Sequence, residues 1–249
     1  HQSDREDLKA NSMKVFDSYL KNGFTPVGFF KESVDFDKGY EDPVHSIRRQ
    51  SEGIYAMLHF LAYEKENGRR HPEWEQKMKN MLDILLRLQQ ADGSFPRKFR
   101  DDFTIVDTSG GSTPSATLPL VMGYKYFKDK RYLASAKQTA DYLEKVLISK
   151  ADYFSSTLDA NCEDKEASLY AATATYYLSL ITKGDEHRHY ADLTKKAAYF
   201  ALSWYYVWDV PFAQGQMLGD IGLKTRGWII VRYSRSVFFG IWCNLLSQF

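Results

Sequence analysis

Acidic residues on irregular stretches are the side chains of this sequence best suited to do chemistry. Asp159, Glu163 and Asp164 fall within Leu158-Asp159-Ala160-Asn161-Cys162-Glu163-Asp164, just ahead of a helical pattern, with Asn161 between them. Asp107 and Asp209 lie on two other long irregular stretches. Breaking a glycosidic bond takes two carboxyl groups, one to protonate the leaving oxygen and one to attack or to activate water. Asp159, Asp164 and Asp107 are the catalytic candidates for such a pair. Glu163 and Asp164 also have a structural reading, because negative charge in a first helical turn complements the helix dipole. Asp159 stands ahead of that turn, and capping accounts for it less well.

Arginines and aromatics supply candidate binding groups. In Arg48-Arg49-Gln50-Ser51-Glu52 an arginine could grip a carboxylate through two parallel hydrogen bonds. The competing reading is an ordinary Arg48–Glu52 pair one helical turn apart, worth about 0.2–0.5 kcal/mol. Arg226, between Thr225 and Gly227-Trp228, is a second carboxylate-binding candidate. Trp208 and Trp228 flank a glycine-containing loop and could stack on the apolar face of a sugar ring, as could Phe95. Phe95 could equally plug the end of a helical bundle, and Trp204 continues an apolar stripe. His45, His59, His187 and His189 show no metal-ligand spacing, so neither metal nor cofactor is expected. His59 reads as a core group. Gly110-Gly111-Ser112 is a turn into a helix rather than a phosphate cradle.

These groups need a scaffold, and its signature is helical. Apolar residues recur at spacings of three, four or seven, as in Trp74, Met78, Met81, Leu82, Leu85 and Leu88, or Leu169, Thr173, Tyr176, Tyr177 and Leu180. Helices are expected at roughly 3–21, 43–67, 72–91, 114–128, 131–149, 165–183 and 187–208, give or take a few residues. Asp42-Pro43 and Thr113-Pro114 read as helix starts, Gly23, Gly68 and Gly184 as stops. Pro119 should kink the fourth helix or shift its start. Short connections at 68–71 and 184–186 suit antiparallel neighbours, whereas 92–113, 149–164 and 209–227 are long. Long loops alternating with short ones place the functional loops at one end of the scaffold. Within them, 98–107 alternates enough to form a small hairpin. No linker divides the chain, so 1–249 reads as a single domain that turns apolar after about 230, where its C-terminal part is expected to be missing or divergent.

Composition removes several classes of function. A net charge of +1 gives no global field toward nucleic acid. No apolar run reaches the roughly 20 residues needed to span a bilayer. Two cysteines, Cys162 and Cys243, exclude a disulfide scaffold. Aromatic content of 15% suits both a packed core and sugar platforms. A chain that begins at His1 reads as a processed secreted protein or an excised piece.

Three stretches resemble the six-hairpin α/α toroids of glycoside hydrolases and polysaccharide lyases. They are Leu88-Gln89-Gln90-Ala91-Asp92-Gly93-Ser94-Phe95-Pro96, the acidic loop continued through Lys165-Glu166-Ala167, and Trp204-Tyr205-Tyr206-Val207-Trp208-Asp209-Val210-Pro211-Phe212 with Thr225-Arg226-Gly227-Trp228. Together they look like a bacterial glycan-degrading family acting on uronic-acid-containing polysaccharides, over roughly Arg48 to Ile230. The resemblance implies an all-α fold and a glycoside hydrolase using carboxylate general acid–base catalysis on a carbohydrate substrate. It implies a periplasmic or extracellular setting. Catalysis would fall to Asp159, Asp164 and Asp107, and substrate binding to Arg48, Glu52, Phe95, Asn161, Trp208, Arg226 and Trp228. A polysaccharide lyase, a non-catalytic glycan-binding or scaffold protein, and a terpenoid-type toroid enzyme are the alternatives. A helical-repeat solenoid lacks its recurring consensus here. Seven or eight helices are legible where a complete toroid has six hairpins, so the ring is expected to be incomplete.

Overall fold

The computed structural model describes residues 5–35, 37–154, 163–206, 208–209, 215 and 217–227. Asp159, Asn161 and Trp228 lie outside the described residues. Helices dominate: α1 (Glu6–Asn22), α2 (Ile47–Glu66), α3 (Pro72–Leu88), α4 (Thr113–Phe127), α5 (Lys130–Tyr142), α6 (Lys165–Ile181), α7 (Gly184–Leu202) and a short α8 (Met217–Asp220). The strands are short. β1 (Val34–Asp35) pairs with β2 (Tyr40–Glu41), and β3 (Val44–Ser46), β4 (Lys98–Arg100) and β5 (Ile105–Asp107) form an antiparallel sheet in that order.

The helices come as hairpins, each closed by a tight connection after α2, α4 and α6. Their apolar stripes feed one contiguous core that runs from Phe29 to Ala198. α3 buries Trp74, Met78, Met81, Leu82, Leu85 and Leu88, as its spacing requires. α4 and α6 are buried on nearly every side, and α4 packs against both α2 and α6. These three form the inner layer; α3, α5 and α7 pack outside them. Side chains bridge α2 and α6 at Arg48–Glu166, Glu52–Tyr170 and Tyr55–Tyr177. Both numbers of each pair rise together, so α2 and α6 run parallel. Their N-termini therefore share one end of the molecule, and the long loops gather there as expected.

Local chemistry explains where the expected boundaries shift. α2 does not start at Asp42-Pro43. The Asp42 carboxylate accepts the Val44 N–H at 3.0 Å, and 44–46 is drawn into β3 by pairing with β4. Ser46 then caps α2, its hydroxyl oxygen accepting the Arg49 N–H at 3.2 Å. Gly184 opens α7 rather than closing α6, and α7 ends at Leu202, short of the expected 208. Pro119 sits inside an unbroken α4. The hairpin over 98–107 forms, as β4 and β5.

The Asp-Gly-Ser-Phe turn is structural. Gly93 has φ +90°, and a Cβ there would lie 2.2 Å from the Gln138 carbonyl oxygen, so only glycine lets this turn meet α5. The Asp92 carboxylate accepts the Ser94 N–H at 3.0 Å and its hydroxyl at 2.6 Å. Phe95 is 0% exposed, and its N–H donates to the Thr113 hydroxyl at the start of α4. It plugs the end of the core. Phe95 as a sugar platform is therefore corrected: a ring with no exposed face cannot stack on a ligand.

Candidate functional site

The site forms where α2 and α6 begin. Arg48, in the first turn of α2, places Nη1 3.2 Å from the Glu52 carboxylate and 3.7 Å from that of Glu166 in the first turn of α6. The buried Tyr170 hydroxyl donates to Glu52 from one turn further along α6. This is no ordinary surface pair, because the Arg48 side chain is only 21% exposed. Burial works against its charge, yet Glu52, Tyr170 and Glu166 together hold the guanidinium firmly protonated. Glu52 keeps enough exposure to meet a ligand.

Glu166 differs from Glu52 in how it is satisfied. Its Oε2 is buried without a hydrogen-bond donor among the described residues, and Arg48 approaches it only at ion-pair distance. Burial pushes its carboxyl above the usual range; Arg48 opposes that shift and Asp164 adds to it. A protonated carboxyl suits such a position, because a neutral acid loses less on leaving water than a carboxylate. Tyr205, just after α7, is half-buried, and burial followed by the Glu166 charge raises its phenol. Burial likewise raises the Tyr170 phenol, with the Glu52 charge next, so Tyr170 stays a donor. Lys165 is depressed by burial, against the pull of Glu166 and Asp164.

The other candidates fall into separate places. Asp164 caps α6, its carboxylate accepting the Glu166 N–H at 2.8 Å, and it is 8% exposed. Asp107 ends β5, shortly before α4. One of its carboxylate oxygens accepts the Ser109 N–H at 2.8 Å, and the other lies 3.8 Å from the buried Arg97. The Arg97 carbonyl accepts the Ile47 N–H, so Asp107 and the start of α2 share this end of the molecule. Arg226 folds back on Asp209, which accepts its N–H at 3.1 Å and lies 3.6 Å from its guanidinium, while the side chain stays 70% exposed. That backbone bond and then the Arg226 charge lower the Asp209 carboxyl. Trp208 is 61% exposed, as a stacking platform must be. Trp204 is half-buried, with its indole nitrogen enclosed. His59 is exposed, not a core group.

Sequence reasoning missed Glu166, Tyr170 and Tyr205. Their signal is a second stripe. Arg48, Glu52, Tyr55 and His59 on α2, and Glu166, Tyr170, Thr173 and Tyr177 on α6, both recur at i, i+4, i+7 and i+11. Each helix thus turns a polar and aromatic stripe toward the other across α4, with Tyr55 and Tyr177 joined hydroxyl to hydroxyl at 2.6 Å.

A scan against protein-family models finds no match. Among solved structures, the chain is similar to the unsaturated glucuronyl hydrolase from Bacillus sp. GL1, described as responsible for the degradation of glycosaminoglycan. The TM-score is 0.61 at 12% identity, covering 90% of this chain and 65% of that one. It is also similar to the unsaturated glucuronyl hydrolase from Streptococcus agalactiae, with a TM-score of 0.55 at 13% identity, covering 85% of this chain and 54% of that one. The chain thus spans less than two thirds of the length of either structure. What the two likenesses establish is architecture: inner and outer helices paired as hairpins, in the α/α-toroid fold of the unsaturated glucuronyl hydrolases.

Proposed function

We propose that this protein is a glycoside hydrolase acting on uronic-acid-containing oligo- or polysaccharides, with Glu166 as general acid and Glu52 as the second carboxyl group. The observation that carries the reading is the shared arginine. Both carboxyl groups lie within 4 Å of one Arg48 nitrogen, so their nearest oxygens are at most about 7 Å apart. Working glycosidase pairs span about 5–9.5 Å. Their environments also differ, and two carboxyl groups held differently are what acid and base roles require. Glu166 donates its proton to the glycosidic oxygen as the bond breaks. Glu52, which accepts hydrogen bonds from Arg48 and Tyr170, attacks the anomeric carbon or takes a proton from water. The guanidinium has further N–H groups that can donate to a uronate carboxylate. The likeness to uronate-cleaving toroids supports the substrate class, and Trp208 offers a stacking face.

The test is hydrolysis of uronate-capped oligosaccharides by wild type and by the variants Glu166→Gln, Glu52→Gln and Asp107→Asn. Loss of a general acid or base costs about 10²–10⁴ in rate. Losses of that size in the first two variants support the assignment. Full activity in both defeats it, and a large loss in Asp107→Asn alone moves the acid to β5. A product with new near-ultraviolet absorbance from an unsaturated uronate would make the reaction an elimination instead.

A further inference from the structure

The opposite end of the inner layer carries a cleft whose chemistry differs from that of the Arg48–Glu166 site. A cleft of about 480 Å³ opens between the C-terminal ends of α2 and α4. Ala62, Met122 and Tyr126 supply its apolar wall, and Lys65, Lys125 and Lys128 supply charge. Among the described residues no carboxylate lies within ion-pair distance of any of the three lysines. The acids nearby are Glu66, which lines the cleft, and Glu75, which accepts a hydrogen bond from the Tyr126 hydroxyl at 2.7 Å. Glu75 is already neutralised by Arg70 at 2.7 Å on each oxygen. Lys65 is held over the Tyr126 ring, 4.9 Å from its centre.

The charge balance of the cleft remains positive. Three lysines face one glutamate. The C-termini of α2 and α4 each contribute about half a negative charge, which leaves on the order of one positive charge. His59, on the same stripe of α2, reports that field: although one side of the ring is exposed, the atoms packed around the rest of it, Tyr55 among them, and then the Lys125 charge lower its imidazole.

We infer that this cleft is a binding site for an oxyanion carried on an apolar-faced body, such as the sulfate or carboxylate of a sugar unit. Lys125 and Lys128 would hold the anion, and Met122 and Tyr126 would pack against the ring. The site is separate from the Arg48–Glu166 end, because Glu52–Tyr170 and Tyr55–Tyr177 bridge the inner layer between them. It stands whether or not the proposed reaction does.

The experiment titrates the protein at low ionic strength with a sulfated disaccharide, with the same disaccharide lacking sulfate, and with inorganic sulfate. The His59 ring is followed by NMR, and heats by calorimetry. The expected result is saturable binding of the sulfated disaccharide that raises the His59 pKa. Affinity should fall at least fivefold in Lys125→Gln/Lys128→Gln, and again when salt shortens the screening length to about 8 Å. Inorganic sulfate should bind more weakly at the same place, and the unsulfated sugar should leave His59 unmoved. Equal affinity in wild type and double variant, or binding that leaves the His59 titration unchanged, overturns the inference. Because Lys125 and Lys128 are remote from Glu166, hydrolysis of a short uronate substrate should be the same in the double variant.

Discussion

Replacing Glu166 by Gln separates catalysis from stability, and the structure sets the sign of each effect. Glu166 has an enclosed Oε2 with no hydrogen-bond donor among the described residues, and burial raises its carboxyl. A carboxyl whose folded pKa lies above its unfolded pKa stabilises the fold less once it ionises. That stability is present at low pH and is lost as pH rises from the unfolded pKa, near 4.5, through the folded one. Gln is isosteric and cannot ionise, so Glu166→Gln should unfold later than wild type at pH 7 and equal it at pH 4. The gain is the avoided cost of ionising a carboxyl in a buried place, reduced by the lost attraction to Arg48, and is on the order of 1 kcal/mol. Urea unfolding at the two pH values reads this directly. The same variant should lose about 10²–10⁴ in hydrolysis rate. Wild-type activity should fall on an alkaline limb that sits above the ordinary carboxylate range, since the acid works only while protonated. A variant less stable than wild type at pH 7, with its deficit vanishing at pH 4, would mean that Glu166 is a structural ion-pair partner of Arg48. The reasoning above would then be refuted.

Three further outcomes follow from the fold. Glu64, 2% exposed, takes bidentate hydrogen bonds from Arg69 and one from His71 where α2 turns into α3; Arg69 chiefly drives its carboxyl down to about 2. The contribution is present above pH 4.5 and is lost as pH falls toward 2; discounted for the exposed Arg69, it amounts to about 1–3 kcal/mol, so Glu64→Gln should cost that much at pH 7 and converge with wild type in acid. Phe95→Ala empties a fully buried site and should cost about 3–5 kcal/mol in thermal or urea unfolding, with no change in KM beyond that; a variant as stable as wild type that binds substrate poorly would return Phe95 to the site. Gly93→Ala forces a Cβ into the Gln138 carbonyl at a positive φ and should cost more than the roughly 1 kcal/mol of a helix-interior glycine change; a neutral effect would show that this turn does not meet α5.

What the sequence disclosed, and what it hid, follows from how far each signal reaches along the chain. Helix spans and hairpin order are local properties of apolar spacing, and α3 and α5 begin within a residue of expectation. β3 depends on a partner about fifty residues away, so no pattern near Asp42-Pro43 could announce it. The acids were judged by loop position, which favoured Asp107, Asp159 and Asp164. Glu166 lies within the expected helix, so loop position gave it no weight. Only the parallel packing of α2 and α6 across α4 shows that it meets Arg48. Tyr177 hid for the opposite reason, because it continued an apolar stripe that read as core. Phe95 was legible in its motif and ambiguous in its role until its burial was known.

The two ends of the inner layer carry opposite dipole ends, and this bears on why chemistry sits at one of them. The N-termini of α2, α4 and α6 each present about half a positive charge. Glu52, Asp164 and Glu166 are drawn there, and an anionic sugar would be as well. For Glu166 the dipole and Arg48 both favour ionisation, yet burial still raises its carboxyl. A first-turn carboxyl that is raised against a helix dipole and a neighbouring arginine owes the shift to exclusion of water. Ligand binding at Arg48 would extend that exclusion, because a substrate carboxylate adds negative charge and removes solvent together. The acid should therefore become harder to ionise when the uronate is bound. The alkaline limb of kcat should accordingly lie at higher pH than that of kcat/KM. Coincident limbs would mean that the titrating acid does not sense the substrate's charge and lies elsewhere, with Asp107 the next residue to examine.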